Sequence, residues 1–162
     1  MRGIHYLAVI LLMILPVWPP GFAHAQYAGI CGNERIIYAQ AIDGITPANS
    51  AIINDRSGNR LATVGQIDGA HAIWPATYEI AVMAGESLHY RGFHGHPSLT
   101  YDILDANHNL ARRVVYIAGA NTPTWDININ DHGFVRFNAG DKAYENNSLV
   151  LCPANAARNA GS

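Results

Sequence analysis

The chain has 162 residues, a formal net charge of −2, 49% hydrophobic residues and 14% charged residues. This composition excludes a disordered tail and a basic nucleic-acid-binding protein. Fifteen Gly and eight Pro, with Tyr, Ile and Val in short runs, disfavour a helical bundle and favour short strands joined by tight turns.

Residues 1–25 have the features of a secretory signal peptide. Arg2 gives a positive start, residues 6–15 are uncharged, and Ala-His-Ala at 23–25 is a small-x-small cleavage site. The alternative is a membrane anchor, which needs about 20 consecutive apolar residues, and prolines interrupt this run first. We therefore expect cleavage after Ala25 and a periplasmic or secreted protein without a membrane span.

The mature chain contains two cysteines, Cys31 near its start and Cys152 near its end. In an oxidising compartment such a pair is expected to form a disulfide, and this one would join the first strand to the last. The alternative is a catalytic cysteine, but neither residue lies in a local signature for a nucleophile. We predict the structural disulfide.

From Arg35 onward, the sequence contains about eight or nine strand-like segments separated by turn residues. Residues 36–42 are apolar on both faces. Residues 50–53 and 61–67 flank a polar turn whose Gly58 is able to take a positive φ, which predicts a hairpin.

The next segments show the period-two alternation of half-buried strands. Between residues 87 and 91, we expect Leu88 and Tyr90 to face inward, with His89 and Arg91 on the other face. Inward positions also include Ile80 and Val82, then Leu99, Tyr101 and Ile103, and later Trp125 and Ile127. Residues 105–109 form a turn rich in side chains that bond their own backbone.

No segment shows sustained helical periodicity, and no internal repeat is visible. The sequence therefore predicts an all-β protein, a single antiparallel β-sandwich of about 8 strands of jelly-roll or immunoglobulin-like type. Residues 26–152 form this domain, and residues 153–162 form a loosely held tail.

Residues 78–88, YEIAVMAGESL, consist of two strands joined by Ala-Gly-Glu. Tyr-Asp-Ile at 101–103, an Asp-Ala-Asn turn, Trp125 and NDHGFVRF at 130–137 follow in the same order as in a known class of modules. In these motifs, over about residues 65–137, the chain resembles exported bacterial modules of the pre-peptidase C-terminal type and the related periplasmic inhibitors of g-type lysozyme. The resemblance implies a shared sandwich fold and an inhibitor-like binding role.

Three histidines, His89, His94 and His96, fall within one Gly-rich stretch. Imidazole suits zinc or copper, and glycines allow the backbone to bring the rings together. If the strands around this loop pair as a hairpin, His89 lies opposite Asp102, as a fourth ligand or as a hydrogen-bond partner. The alternative is a solvated turn, because His-x-His is a pattern of low specificity.

Loops at the ends of a rigid sandwich commonly carry recognition. Trp74 precedes a proline in a connection, and Phe93 leads the histidine loop, so both are expected to be exposed. The predicted contact residues are Trp74, Arg91, Phe93, His94 and His96.

The sequence contains no Gly-x-Ser-x-Gly, phosphate loop or Cys-x-x-Cys, and none of its serines lies in a motif that indicates a base. It therefore predicts no catalytic residue. The expected function is that of an exported non-catalytic binding module that recognises a protein partner or cell-envelope glycan, not nucleic acid. The alternatives are a periplasmic zinc- or copper-binding protein and, third, a hydrolase whose site the sequence does not reveal.

Overall fold

The computed structural model describes residues 31–40, 46, 50–65, 71–92, 98–117, 125–144 and 147–154. The predicted signal peptide and most of the predicted tail lie outside these ranges. Within them, the chain forms twelve β-strands and no helix, and no segment there is a helix of the length and apolarity that crossing a membrane requires. The predicted all-β class is confirmed.

The strands are β1 (Arg35–Gln40), β2 (Ser50–Asn54), β3 (Arg60–Gly65), β4 (His71–Ile73), β5 (Tyr78–Val82), β6 (Ser87–Gly92), β7 (Ser98–Asp105), β8 (Leu110–Ile117), β9 (Trp125–Asn128), β10 (Gly133–Phe137), β11 (Lys142–Tyr144) and β12 (Asn147–Cys152). They form two antiparallel sheets that pack together as a sandwich. The first sheet has the order β3-β2-β1-β12-β6-β9, and the second has the order β4-β11-β7-β10-β5 with β8 paired to β7.

The structure has more strands than the sequence predicted. Two strands that the sequence did not indicate, β4 and β11, have three residues each and pair with one another. Alternation cannot be recognised over three residues, so no sequence pattern indicates them. They extend the second sheet beside the first residues of β7, where Ala143 pairs with Leu99.

The core between the sheets is rich in aromatic rings and contains Trp74, which is only 1% exposed. Its ring meets those of Tyr38 and Phe137 edge-on, with centroids 5.4 and 5.7 Å away. The prediction that Trp74 is exposed is wrong. Its backbone N–H donates to the Asp141 carbonyl and its carbonyl accepts from Gly140, which continues the pairing of β4 with β11 and turns the side chain inward.

The alternation predicted for the central strands is confirmed. Leu88, Tyr90, Leu99 and Tyr101 are buried in the core, and Asp102 lies on the opposite face of its strand. Two strands of the first sheet, β2 and β12, are buried on their outer face as well as on the face that packs on the core. Every residue of both strands is buried. In β1, the burial of Ile37, Tyr38 and Ala39 agrees with the apolar run that the sequence shows there.

Two hairpins, β2–β3 in the first sheet and β7–β8 in the second, are closed by turns of the same type. Asp55 Oδ1 accepts the backbone N–H groups of Ser57 and Asn59 at 2.8 and 2.9 Å. Asp105 Oδ1 accepts those of the residues two and four positions later at the same distances. The fourth residue of each turn has a positive φ, 87° at Gly58 and 61° at His108. Both predicted turns are confirmed.

The predicted disulfide is also present. Cys31 and Cys152 are bonded, with their Cα atoms 6.0 Å apart. The strand β1, which follows Cys31, and the strand β12, which ends at Cys152, are neighbours in the first sheet, with Arg35 paired to Leu151. The bond therefore joins the ends of the domain at one end of the sandwich.

Candidate functional site

The structure separates two of the residues that the sequence grouped as metal ligands. His89 lies on β6 in the first sheet, whereas Asp102 lies on β7 in the second. The prediction that they face each other is wrong, because the chain crosses from one sheet to the other between β6 and β7 instead of forming a hairpin. Phe93, His94 and His96 lie outside the described residues.

The carboxylate of Asp102 accepts hydrogen bonds from three other side chains of the chain. Its carboxylate, whose side chain is 3% exposed, accepts from Asn138 Nδ2 at 2.7 Å and from Arg113 and Arg136 at 3.3 Å each. A carboxylate engaged by two guanidinium groups and an amide has a structural role. In the described part of the chain, no three His, Cys, Asp or Glu side chains form a group able to hold a metal ion.

The contacts of Asp102 continue into an ion-pair network on the outer face of the second sheet. Arg113 makes a bidentate contact with Asp141 at 2.7 and 2.8 Å. Glu79 lies 3.8 Å from Arg136 and accepts from His108 Nδ1 at 2.7 Å. The network therefore crosses β8, β7, β10 and β5, and it ties the strands together around one buried charge.

On the outer face of the first sheet, His89 uses both ring nitrogens. Nδ1 lies 2.6 Å from Asp126 Oδ1, and Nε2 lies 2.8 Å from Ser87 Oγ. Arg91 is half-buried two residues farther along β6 and so shares this face. The sequence did not reveal this group: Ser-x-His on one strand was readable, but the pairing of β6 with β9, which brings Asp126 opposite His89, was not.

A cavity of about 480 Å³, here called the end cavity, lies at the disulfide-bonded end of the sandwich. It is formed by the turn after β2, the turn before β6 and the segments next to the disulfide, residues 33–35 and 151–153. Its lining residues are Asn33, Arg35, Arg56, Ser57, Glu86, Leu151 and Pro153.

The cavity is lined by more positively charged side chains than negatively charged ones. Glu86 is almost fully buried and accepts from Arg56 Nη2 at 2.6 Å and from the Met83 backbone N–H at 2.7 Å. Arg35 has no ion-pair partner among the described residues. Two guanidinium groups and one carboxylate give the cavity an excess of positive charge.

A second cleft, of about 350 Å³, lies between β8 and β9. Its wall includes Tyr116, whose ring stacks on that of Tyr90 at 4.3 Å and whose hydroxyl lies 3.3 Å from that of Tyr101. Burial raises the pKa of all three phenols above the ordinary value. They therefore remain protonated at neutral pH.

Comparison with known proteins gives no match to a family model, to a characterised relative or to a solved structure. The resemblance to pre-peptidase C-terminal modules and lysozyme inhibitors thus stays a prediction. Zinc or copper binding by His89, His94 and His96 also stays a prediction.

Proposed function

We propose that the chain is an exported binding module that recognises a protein partner or a cell-envelope glycan through the disulfide-bonded end of its sandwich. The observation that supports this is the cavity of about 480 Å³ between two turns and the segments next to the disulfide, with Arg35 and Arg56 in its wall. Its volume lies within the range of small-ligand pockets, which is about 300 to 1,000 Å³, and its lining is mainly polar and charged.

The chemistry of the cavity favours a carboxylate. A guanidinium group presents a planar set of donors that matches the two oxygens of a carboxylate. Glu86 neutralises one of the two guanidinium groups and holds it in a fixed position, while Arg35 supplies the positive charge that remains. We therefore propose that the recognised group is a carboxylate on a glycan or on an acidic peptide segment.

The walls of the cavity are held before any ligand arrives. Asp55 ties the turn that carries Arg56 and Ser57 through hydrogen bonds within that turn. The disulfide holds the opposite wall, where Pro153 directly follows Cys152. A preformed site loses less conformational freedom on binding, so a modest number of contacts suffices for measurable affinity.

Export is supported by two independent features. The disulfide indicates an oxidising compartment, because cytosolic thiols are kept reduced. Residues 1–25 carry the pattern of a secretory signal.

The experiment is calorimetric titration of the mature chain with carboxylate-bearing glycan fragments, beside the same fragments after reduction of the carboxyl groups. We expect binding of the first set only. Arg35→Gln should weaken it at least about tenfold, equivalent to about 1.4 kcal/mol. The matched control is Arg112→Gln, an exposed arginine outside the cavity. Equal binding of the carboxylate and reduced fragments, or equal affinity of Arg35→Gln and the unchanged chain, would contradict the proposal.

A further inference from the structure

We propose that Ser87, His89 and Asp126 form a nucleophilic site that hydrolyses small acyl esters, an activity beyond the binding role above. The three side chains form a continuous chain of hydrogen bonds, with 2.8 Å between Ser87 Oγ and His89 Nε2 and 2.6 Å between His89 Nδ1 and Asp126 Oδ1. Both distances, and the order in which the ring nitrogens are used, are those that serine hydrolases require.

The strand register builds this arrangement. Ser87 and His89 are two residues apart on β6, so their side chains leave the same face of the sheet. Asp126 is the cross-strand partner of His89 on β9, and Asn128 is the partner of Ser87. The same register therefore places an exposed amide side chain beside the serine, where it is able to donate a hydrogen bond to an oxyanion.

The hydrogen bonds also fix which imidazole nitrogen is the base. A carboxylate only accepts hydrogen bonds, so Asp126 holds the ring with the proton on Nδ1. The Nε2 lone pair then faces the Ser87 hydroxyl. Asp126 is 60% exposed and acts through His89, so it is a positioning residue, while Ser87 and His89 are catalytic residues.

The reaction consumes only the ester and water. Ser87 Oγ attacks the acyl carbon and forms a new C–O bond while its proton passes to His89 Nε2. The bond to the leaving alcohol breaks, and His89 returns that proton to the alkoxide. Water then attacks the acyl-serine, His89 accepts the water proton, and the carboxylic acid leaves as Ser87 recovers its hydroxyl.

The position of the serine limits the substrate. Ser87 is half-buried on a strand face, between Cys152 on β12 and Asn128 on β9. Because Ser87 is half-buried beside the disulfide-bonded Cys152, neighbouring atoms cover part of the approach to its hydroxyl, and a short acyl group meets fewer of them than a bulky one. The substrate class is therefore a small acyl ester, either free or exposed on a larger molecule.

The test uses the folded, oxidised mature chain, a fluorophosphonate probe and 4-nitrophenyl acetate. We expect the probe to add to Ser87, as located by peptide mass spectrometry, and the ester to be hydrolysed. Ser87→Ala and His89→Gln should each lower kcat at least about a hundredfold. Ser98→Ala is the matched control, because this serine also begins a strand and is half-buried.

Asp126→Asn separates positioning from a structural role. We expect it to lower kcat and the rate of probe addition while KM and the unfolding transition stay unchanged, because only the orientation of the imidazole is lost. The proposal is overturned if the probe does not modify Ser87 in the unchanged chain, or if Ser87→Ala hydrolyses the ester at the same rate.

Discussion

Cys31 and Cys152 are separated by 121 residues and are bonded to each other, with their Cα atoms 6.0 Å apart. The bond lies where β1 and β12 pair, and the residue after Cys152 lines the end cavity. One covalent link therefore closes the domain and fixes a wall of the proposed binding site.

Removal of this link should destabilise the domain. In the chain-entropy model, a loop of this length stabilises the folded state by roughly 4 to 5 kcal/mol, because the unfolded chain is constrained. We expect Cys31→Ser combined with Cys152→Ser to lower the free energy of unfolding in urea by an amount of that order. Native protein should show no titratable thiol before reduction. Two free thiols in the native protein would contradict the bond itself.

Trp74 should contribute to stability and not to binding. Its ring is enclosed by Tyr38 and Phe137, so Trp74→Ala leaves a cavity and should cost about 3 to 5 kcal/mol of unfolding free energy. Leu110→Ala, at an exposed position on β8, is the control and should change it by less than about 0.5 kcal/mol. A Trp74→Ala variant as stable as this control would show that the side chain is not in the core.

The buried carboxylate of Asp102 should be important for the second sheet. Asp102→Asn keeps the shape but removes the buried charge that Arg113 and Arg136 share, and leaves them only the carboxylates of Asp141 and Glu79. Both arginines are partly exposed and regain some hydration, so we expect a loss of about 2 to 3 kcal/mol in chemical unfolding. Asp131→Asn, at an exposed position, is the control. Equal stability of the two variants would contradict the role of the network.

The two matching turns predict how stability depends on acid. The Asn59 side chain, followed by backbone N–H groups, holds the pKa of Asp55 below its ordinary value of 3.8. The Asn109 side chain, followed by the Asn109 backbone N–H, does the same for Asp105. A carboxyl with a lower pKa in the folded chain stabilises it fully above pH 3.8, and this contribution is lost as the pH falls through the folded pKa.

Thermal unfolding at about pH 5 and about pH 2.5 measures this effect. We expect the midpoint to fall between the two, and Asp55→Asn with Asp105→Asn to reduce that difference. Asp131→Asn should keep the full difference. An unchanged acid dependence in the double variant would show that the turn carboxylates do not contribute to it.

Much of the fold could be predicted from local patterns. Three features follow from rules that act over a few residues or from the number of cysteines. They are the alternation of Leu88 and Tyr90, the turn at Gly58 and the single pair of cysteines. The sandwich and its disulfide follow from them. The strands β4 and β11 could not be predicted, because three residues are too few to show a period.

The candidate sites depend on which strands are neighbours, and that is not local. The sequence placed His89 opposite Asp102 by assuming a hairpin, whereas the structure gives them different sheets. His89 forms a hydrogen bond with Asp126, 37 residues away in the sequence, only because β6 pairs with β9. The end cavity likewise combines Arg35 and Glu86 from segments that no sequence period connects.

The most direct measurement is a backbone NMR titration of the mature, oxidised chain with a carboxylate-bearing glycan fragment. We expect saturable shifts of the amides around the end cavity, chiefly those of Asn33, Arg35, Arg56 and Ser57. The amides of β8, on the second sheet, should not shift. Saturable shifts confined to β8, or none at any concentration at which the fragment remains soluble, would contradict recognition through this end of the sandwich.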